Sequence, residues 1–213
     1  MVGVASERLH GRTGKARTPS TVGVASERLH GRTGKARTPS TVGVASERLR
    51  VAARAWPEAV ERVTAYLREA GAEARVEEFP SGTPTAFEAA QAIGCDLAQI
   101  VKSLVFDCSG RPVLVLVPGD RRADSGKIAR AAEARFARIA GTEEVRDATG
   151  FEAGAVAPFP LPRIERVFID RTLLAHRVVW IGAGSTRHMA ALAPAELVRL
   201  SRARPIDAVE DAT

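Results

Sequence analysis

Cysteine is scarce in this chain. Its 213 residues include two, Cys95 and Cys108, with no CxxC pair and no Cys/His neighbours at zinc spacing, so neither a disulfide framework nor a zinc site is expected and a reducing, cytoplasmic compartment fits. Long apolar runs are missing too: none approaches the ~18 residues of a membrane span. The opening stretch MVGVASERLHGRTGKART lacks the apolar segment and small-residue cleavage site of a secretory signal. We expect a soluble chain that engages no membrane.

Missing motifs remove several chemistries. There is no GxSxG elbow, no HExxH and no DxD-type carboxylate cluster, which leaves triad and metal-dependent hydrolysis without support. Ser125-Gly126-Lys127 resembles part of a phosphate loop, but Gly119 and Gly126 are too far apart for GxxxxGK and Ile128 stands where Ser or Thr is required. Neither a metal nor a cofactor is expected.

What is present is positive charge, +6 overall, which by itself suggests nucleic-acid binding. Its location changes that meaning. Residues 1–50 hold ten Lys/Arg and three Glu, a balance of +7, while 51–213 hold 21 basic and 22 acidic residues. The excess lies in a tandem repeat: VGVASERLHGRTGKARTPST fills 2–21, recurs identically at 22–41 and begins again at 42. Its first copy carries only Val2, Val4 and Leu9 as sizeable apolar side chains, beside Gly3, Gly11, Gly14 and Pro19, too little for stacked units to offset chain entropy. Residues 1–44 are therefore expected to form a disordered basic leader, arising from a recent duplication in the coding DNA or a start codon set upstream, with 45–213 as one folded domain. A leader that binds RNA on its own is the competing reading; it predicts that deleting 1–44 abolishes function.

Within the domain, helices and strands interleave. Val60, Val63, Ala65, Leu67 and Ala70 trace a helical stripe between Pro57 and Gly71. ARVEEF (74–79) alternates as a short strand, and AFEAAQAIG reads as a helix ending at Gly94. A helical turn follows at 96–99. IVKSLVFDC (100–108) and RPVLVLVPG (111–119) form a hairpin around Ser109-Gly110. Helices are expected over 125–136, over 142–150 with Thr142 as N-cap, and over 193–200; strands are expected at 137–140, 165–170, 176–184 and 188–192. This spacing does not fit regular βαβ units. The expected fold is α+β, a mixed and largely antiparallel sheet curled toward a barrel and flanked by helices.

Lys102 is the most informative residue. It shares a strand face with Ile100, Leu104 and Phe106, and Val101, Ser103 and Val105 make the other. An ammonium in so apolar a strand needs a partner or a solvent-filled cleft. One reading has it snorkel to the sheet edge or pair with Asp107 or Asp120; the other has it line a pocket, where it holds an anion or a developing oxyanion. The loop from Gly154 to Pro158 is either an ordinary connection or a set of backbone donors stiffened by proline. Gly182-Ala-Gly184-Ser185-Thr-Arg-His188 is not a GxGxxG fingerprint. Its His188 is either a surface residue or a group that recognises or polarises a substrate.

The ordered series AAQAIGCDLAQIVKSLVF, VLVLVPGDRRADSGKIA, GAVAPF and VFIDRTLLAHRVVWIGAGSTRH resembles the YbaK/EbsC/ProX family of aminoacyl-tRNA deacylases, related to the editing domain of some prolyl-tRNA synthetases. The resemblance covers approximately 57–200. It implies a compact mixed α/β fold that hydrolyses the ester between a wrong amino acid and the terminal adenosine of tRNA. Lys102 stands at the family's catalytic pocket lysine; Gly154 and Pro158 fall on its GxxxP loop; Gly184, Ser185 and His188 fall on the Gly-rich segment bordering the amino-acid pocket. Pro160, where a glycine is expected, and Gly126, where the helix start often has a larger residue, depart from the pattern. The implied partners are the 3′ acceptor end of aminoacyl-tRNA and, as a further candidate, a prolyl-tRNA synthetase; DNA is not among them. The implied activity is trans-editing of tRNA charged with alanine or cysteine instead of proline. A non-catalytic module of the same fold that binds aminoacyl-tRNA or a nucleotide is the alternative.

Overall fold

The computed structural model describes residues 55–211; the tandem repeat, and with it the expected leader, lies outside the described residues. Helix α1 (Glu58–Glu69) follows Pro57 and buries Val60, Val63 and Leu67, an i, i+3, i+7 stripe. Strand β1 (Ala74–Glu78) leads through the 80–85 loop to α2 (Ala86–Ile93). Thr85 and Glu88 close the start of α2 reciprocally: the Glu88 N–H donates to Thr85 Oγ1 at 3.1 Å and the Thr85 N–H to Glu88 Oε2 at 3.1 Å. A 3₁₀ turn at Leu97–Gln99 precedes the hairpin of β2 (Val101–Cys108) and β3 (Arg111–Pro118). Ser109 and Gly110 join them with φ of 55° and 86°, the positive pair that matches strand twist in a two-residue turn.

Next come α3 (Ser125–Ala131), β4 (Arg138–Ile139) and α4 (Thr142–Thr149). Helix α3 stops earlier than its apolar pattern suggests, because Glu133 turns left-handed at φ 53°. Thr142 is the first helical residue of α4 rather than its cap: Gly141 holds the flanking extended conformation, and its N–H donates to Glu144 Oε2 at 2.7 Å. After the 150–165 connection the chain forms β5 (Arg166–Asp170), a 3₁₀ turn at Arg171–Ala175, β6 (Val179–Ser185), β7 (His188–Leu192), α5 (Pro194–Ser201) and β8 (Arg204–Ile206). Pro205 in β8 obscured that strand in the sequence, and β8 is an edge strand, where a residue without an N–H is tolerated.

The strands make two sheets. One has the order β4-β2-β3-β5-β8, the other β1-β7-β6. Pairing is antiparallel except for β3–β5 and β5–β8. The expectation of one sheet curling toward a barrel is thus corrected: no closed barrel occurs among the described residues. A parallel bridge, Ile100 to Trp180, joins the sheets among the described residues, and the 154–156 loop packs against Gly182 of β6, where an added Cβ would lie 3.2 Å from the Val156 carbonyl oxygen.

Burial explains the layering. Alternate residues of β2 and β3 enter two cores: Val101, Val105, Leu114 and Leu116 meet α1, while Phe106, Cys108, Val113 and Val115 meet Ile128 of α3. A strand buried on both faces reads as a continuous apolar run, which is why the VLVLV segment of β3 shows so plainly in sequence. The small sheet packs Ala190 and Leu192 toward α1, and Trp180, Met189 and Ala191 toward Ala89 and Ala90 of α2.

Candidate functional site

The first half of β2 has no ladder partner on one side, since β4 pairs only with Phe106 and Asp107. A cleft of about 340 Å³ opens there. Ile100 to Leu104 form one wall, Gly182 and Met189 of the small sheet another, Thr83 to Ala86 with Ala89 a third, and Gly154 with Val156 the last. Both sheets and α2 therefore position it, and no single segment encodes it.

Lys102 lines this cleft half-buried. Its ammonium donates to the main-chain carbonyl of Arg121, in the turn after β3. It makes no ion pair with a described carboxylate. Asp107, one partner considered from the sequence, is instead bound to Arg138 at 2.9 Å. Desolvation pulls the Lys102 ammonium below lysine's ordinary range; Asp120 opposes that shift and Arg122 adds to it. Its neighbour Ser103 also lines the cleft and has a buried hydroxyl with no hydrogen-bond partner.

Gly154 takes φ +87° with open space where a side chain would project, so it is the backbone conformation there that favours glycine. It reaches the cleft wall. Pro158 is buried behind it and does not line the cleft, so the structure brings together only the first residue of the GxxxP pair with Lys102. The Phe159-Pro160 peptide is cis.

Gly184, Ser185 and His188 are placed one layer back. A Cβ on Gly184 would lie 2.7 Å from the Ala59 carbonyl oxygen, and φ is +94°, so glycine lets the end of β6 approach the start of α1. His188 is 3% exposed, packs edge-on against Trp56 at 5.4 Å between centroids, and contacts Ser185 Oγ through Nδ1 at 2.7 Å. Its Nε2 is buried without a partner. Desolvation lowers its pKa, with Glu78 opposing and Arg187 adding to the shift. None of the three lines the cleft. They connect to it through the 185–187 turn: the Thr186 carbonyl accepts from Thr83 N–H at 2.7 Å and from Thr83 Oγ1 at 3.2 Å, and the Arg187 carbonyl accepts from Phe79 N–H at 2.7 Å. The turn thus braces the 79–85 wall.

Sequence reasoning named Gly182 as the start of the Gly-rich segment, and it did not single out Thr83, Ser103 or Met189. Thr83 had a faint signal in the Gly/Pro-flanked PSGTPT loop; Met189 had none, since only tertiary pairing brings it to the cleft that Lys102 lines. Among the described residues no cluster of three or more His, Cys, Asp or Glu could hold a metal ion, and no helix is long and apolar enough to cross a membrane.

Comparison with known proteins identifies this architecture. The model of the aminoacyl-tRNA editing domain matches residues 80–200. The chain belongs to the aminoacyl-tRNA editing domain family. This editing domain is similar to a crystal structure described as that of a candidate trans-editing enzyme for prolyl tRNA synthetase, with TM-score 0.69 and 37% identity, covering 74% of this chain and 100% of that one. It is 35% identical over 127 residues to the uncharacterized protein YwhH of Bacillus subtilis, covering 59% of this chain and 80% of that protein. It is also 33% identical over 111 residues to the proline-tRNA ligase of Maridesulfovibrio salexigens, covering 52% of this chain. The matched part of the editing domain corresponds to only 19% of that ligase's length.

Proposed function

We propose that this chain hydrolyses the ester of mischarged tRNA in trans, with tRNA carrying alanine or cysteine in place of proline as the leading substrates. The observation that supports this most directly is the Lys102 ammonium, held in a cleft and paired with no carboxylate, in a chain of the editing family. An aminoacyl ester is already activated, so the site need not contain a strong nucleophile. It must hold the ester and stabilise the tetrahedral oxyanion. In this reading Lys102 supplies the positive charge for that oxyanion, and the Gly154 backbone on the opposing wall orients the acylated adenosine. Water, positioned with the help of the neighbouring ribose hydroxyl, attacks the carbonyl carbon; the tetrahedral intermediate collapses with cleavage of the ester C–O bond, the proton given up by the water passes to the departing ribose oxygen, and the free amino acid is released.

The cleft's size supports a sieve for small side chains. At about 340 Å³ it falls at the small end of ligand pockets. A synthetase cannot reject a smaller amino acid by binding alone, since a missing methylene is worth only ~1–3 kcal/mol, and a second small pocket supplies the missing discrimination. Single-turnover assays with tRNA charged with alanine, cysteine, serine and proline test the proposal. The expected result is rapid loss of the alanyl or cysteinyl ester with prolyl-tRNA spared. Protection of every ester against spontaneous hydrolysis would instead identify a binding module and overturn the hydrolase assignment.

A further inference from the structure

At the hairpin end of the five-stranded sheet, far from Lys102, two adjoining hollows of about 310 and 290 Å³ share Arg166 and Glu165. Arg111 and Arg163 complete the basic lining of the first, and Arg202 and Arg204 that of the second. All five arginines are exposed. The acidic residues lining the hollows are Glu133 and Glu165, so the local balance is +3. Residues 51–213 as a whole hold 21 basic and 22 acidic residues, so this is a concentration of charge within a balanced segment.

None of the five guanidinium groups is ion-paired to a described carboxylate. Three are drawn together at the end of α3: Arg166 Nη1 donates to the Ala132 carbonyl at 2.8 Å, Arg111 Nη2 reaches the same oxygen at 3.5 Å, and Arg204 donates to the Ala131 carbonyl. Carbonyls at a helix C-terminus orient these cations without neutralising them. Arg204 is further fixed over the Phe168 ring, at 5.0 Å from its centroid. Arg163 donates to the Asp147 carbonyl at 2.8 Å, and the Arg202 guanidinium, whose backbone N–H caps α5 on the Val198 carbonyl, makes no side-chain hydrogen bond or ion pair among the described residues. Oriented, exposed guanidinium groups free of carboxylates are suited to bidentate contact with phosphate oxygens.

Resting on the editing assignment above, we propose that this arginine cluster is a second tRNA contact, which binds backbone phosphates of the acceptor arm while the acylated 3′ terminus occupies the Lys102 cleft. The spacing suits a single RNA partner. Lys102 pairs with Val117 and Cys108 with Arg111, which separates the two sites by about 20 Å along β2 at ~3.3 Å per residue. A few nucleotides of extended 3′ strand bridge that distance, so the first phosphates behind the terminus arrive where the arginines are. The contact reads no sequence, and its signature is affinity that falls with salt.

The test uses the full chain carrying Arg163→Gln and Arg202→Gln, two positions outside the α3 end, with thermal melting to check the fold. With mischarged tRNA, KM should rise about tenfold with kcat unchanged, and the slope of log affinity against log salt should become shallower by about 1 to 2. Hydrolysis of the corresponding aminoacyl-adenosine, which has no backbone phosphate, should not change. Unaltered KM and salt slope would overturn the proposal, as would an equal loss on both substrates. If the parent chain hydrolyses neither ester, the editing assignment fails on its own; binding of uncharged tRNA then decides the cluster, with a shallower slope in the variant supporting it and an identical slope refuting it. Arg166→Gln provides a third arm, expected to act in the same direction.

Discussion

The Lys102 ammonium donates to the Arg121 carbonyl across the mouth of β2 and β3, so its hydrogen-bond partner is neutral. A carboxylate in that place would cancel the charge in the cleft. A carbonyl positions the ammonium and leaves the charge available to an incoming oxyanion, with Asp120 acting on it electrostatically from the adjacent turn.

Lys102→Ala is expected to lower single-turnover deacylation by about 100- to 1000-fold, the loss typical of removing one oxyanion stabiliser. The melting temperature should hold or rise, because the substitution removes a partly desolvated cation that makes no ion pair. Full activity in the variant would exclude the catalytic role.

Gly154 and Gly184 should separate by phenotype. Both hold positive φ, but a Cβ at Gly154 meets nothing within 4 Å, whereas one at Gly184 meets the Ala59 carbonyl at 2.7 Å. Gly154→Ala should cost about 1 kcal/mol of stability from backbone strain and reduce deacylation far beyond that. Gly184→Ala, which adds a backbone clash to the strain, should cost about 2 kcal/mol or more. Urea denaturation beside deacylation rates checks the pair; equal stability losses would refute the steric argument.

His188 predicts a pH dependence of stability. Burial lowers its folded pKa below the ordinary histidine value, so the unfolded chain binds the proton more readily. As pH falls from neutrality through the unfolded value of about 6.5, the unfolded state gains protons first and stability drops; the drop ends once pH passes below the folded pKa. His188→Gln should flatten this part of the curve of urea midpoint against pH. An unchanged slope would show that other groups produce it.

Much of this fold is legible in the sequence. The helical stripe of α1, the Gly94 stop after α2, the Ser109-Gly110 turn and the apolar run of β3 are local signals, and each marks its element. Lys102 stood out because a lone cation in an apolar strand is costly wherever the strand packs. The arginines at the far end of the sheet gave no such signal: 111, 163, 166, 202 and 204 are scattered over nearly half the chain and meet only when β3, β5 and β8 lie side by side.

Sequence alone therefore determined the element types apart from β8, the charge balance of the segment after the repeat and the presence of one cation in the apolar run of β2, because propensity, turn geometry and burial cost act over a few residues. Tertiary structure alone decided that the strands form two sheets with a cleft between them, that Gly182 and Met189 line it together with Lys102, that Lys102 is a cleft cation, and that His188 is buried outside that lining. Those facts depend on strand order and register, which are set by the cores on the two faces of each sheet and by contacts between residues far apart in the chain.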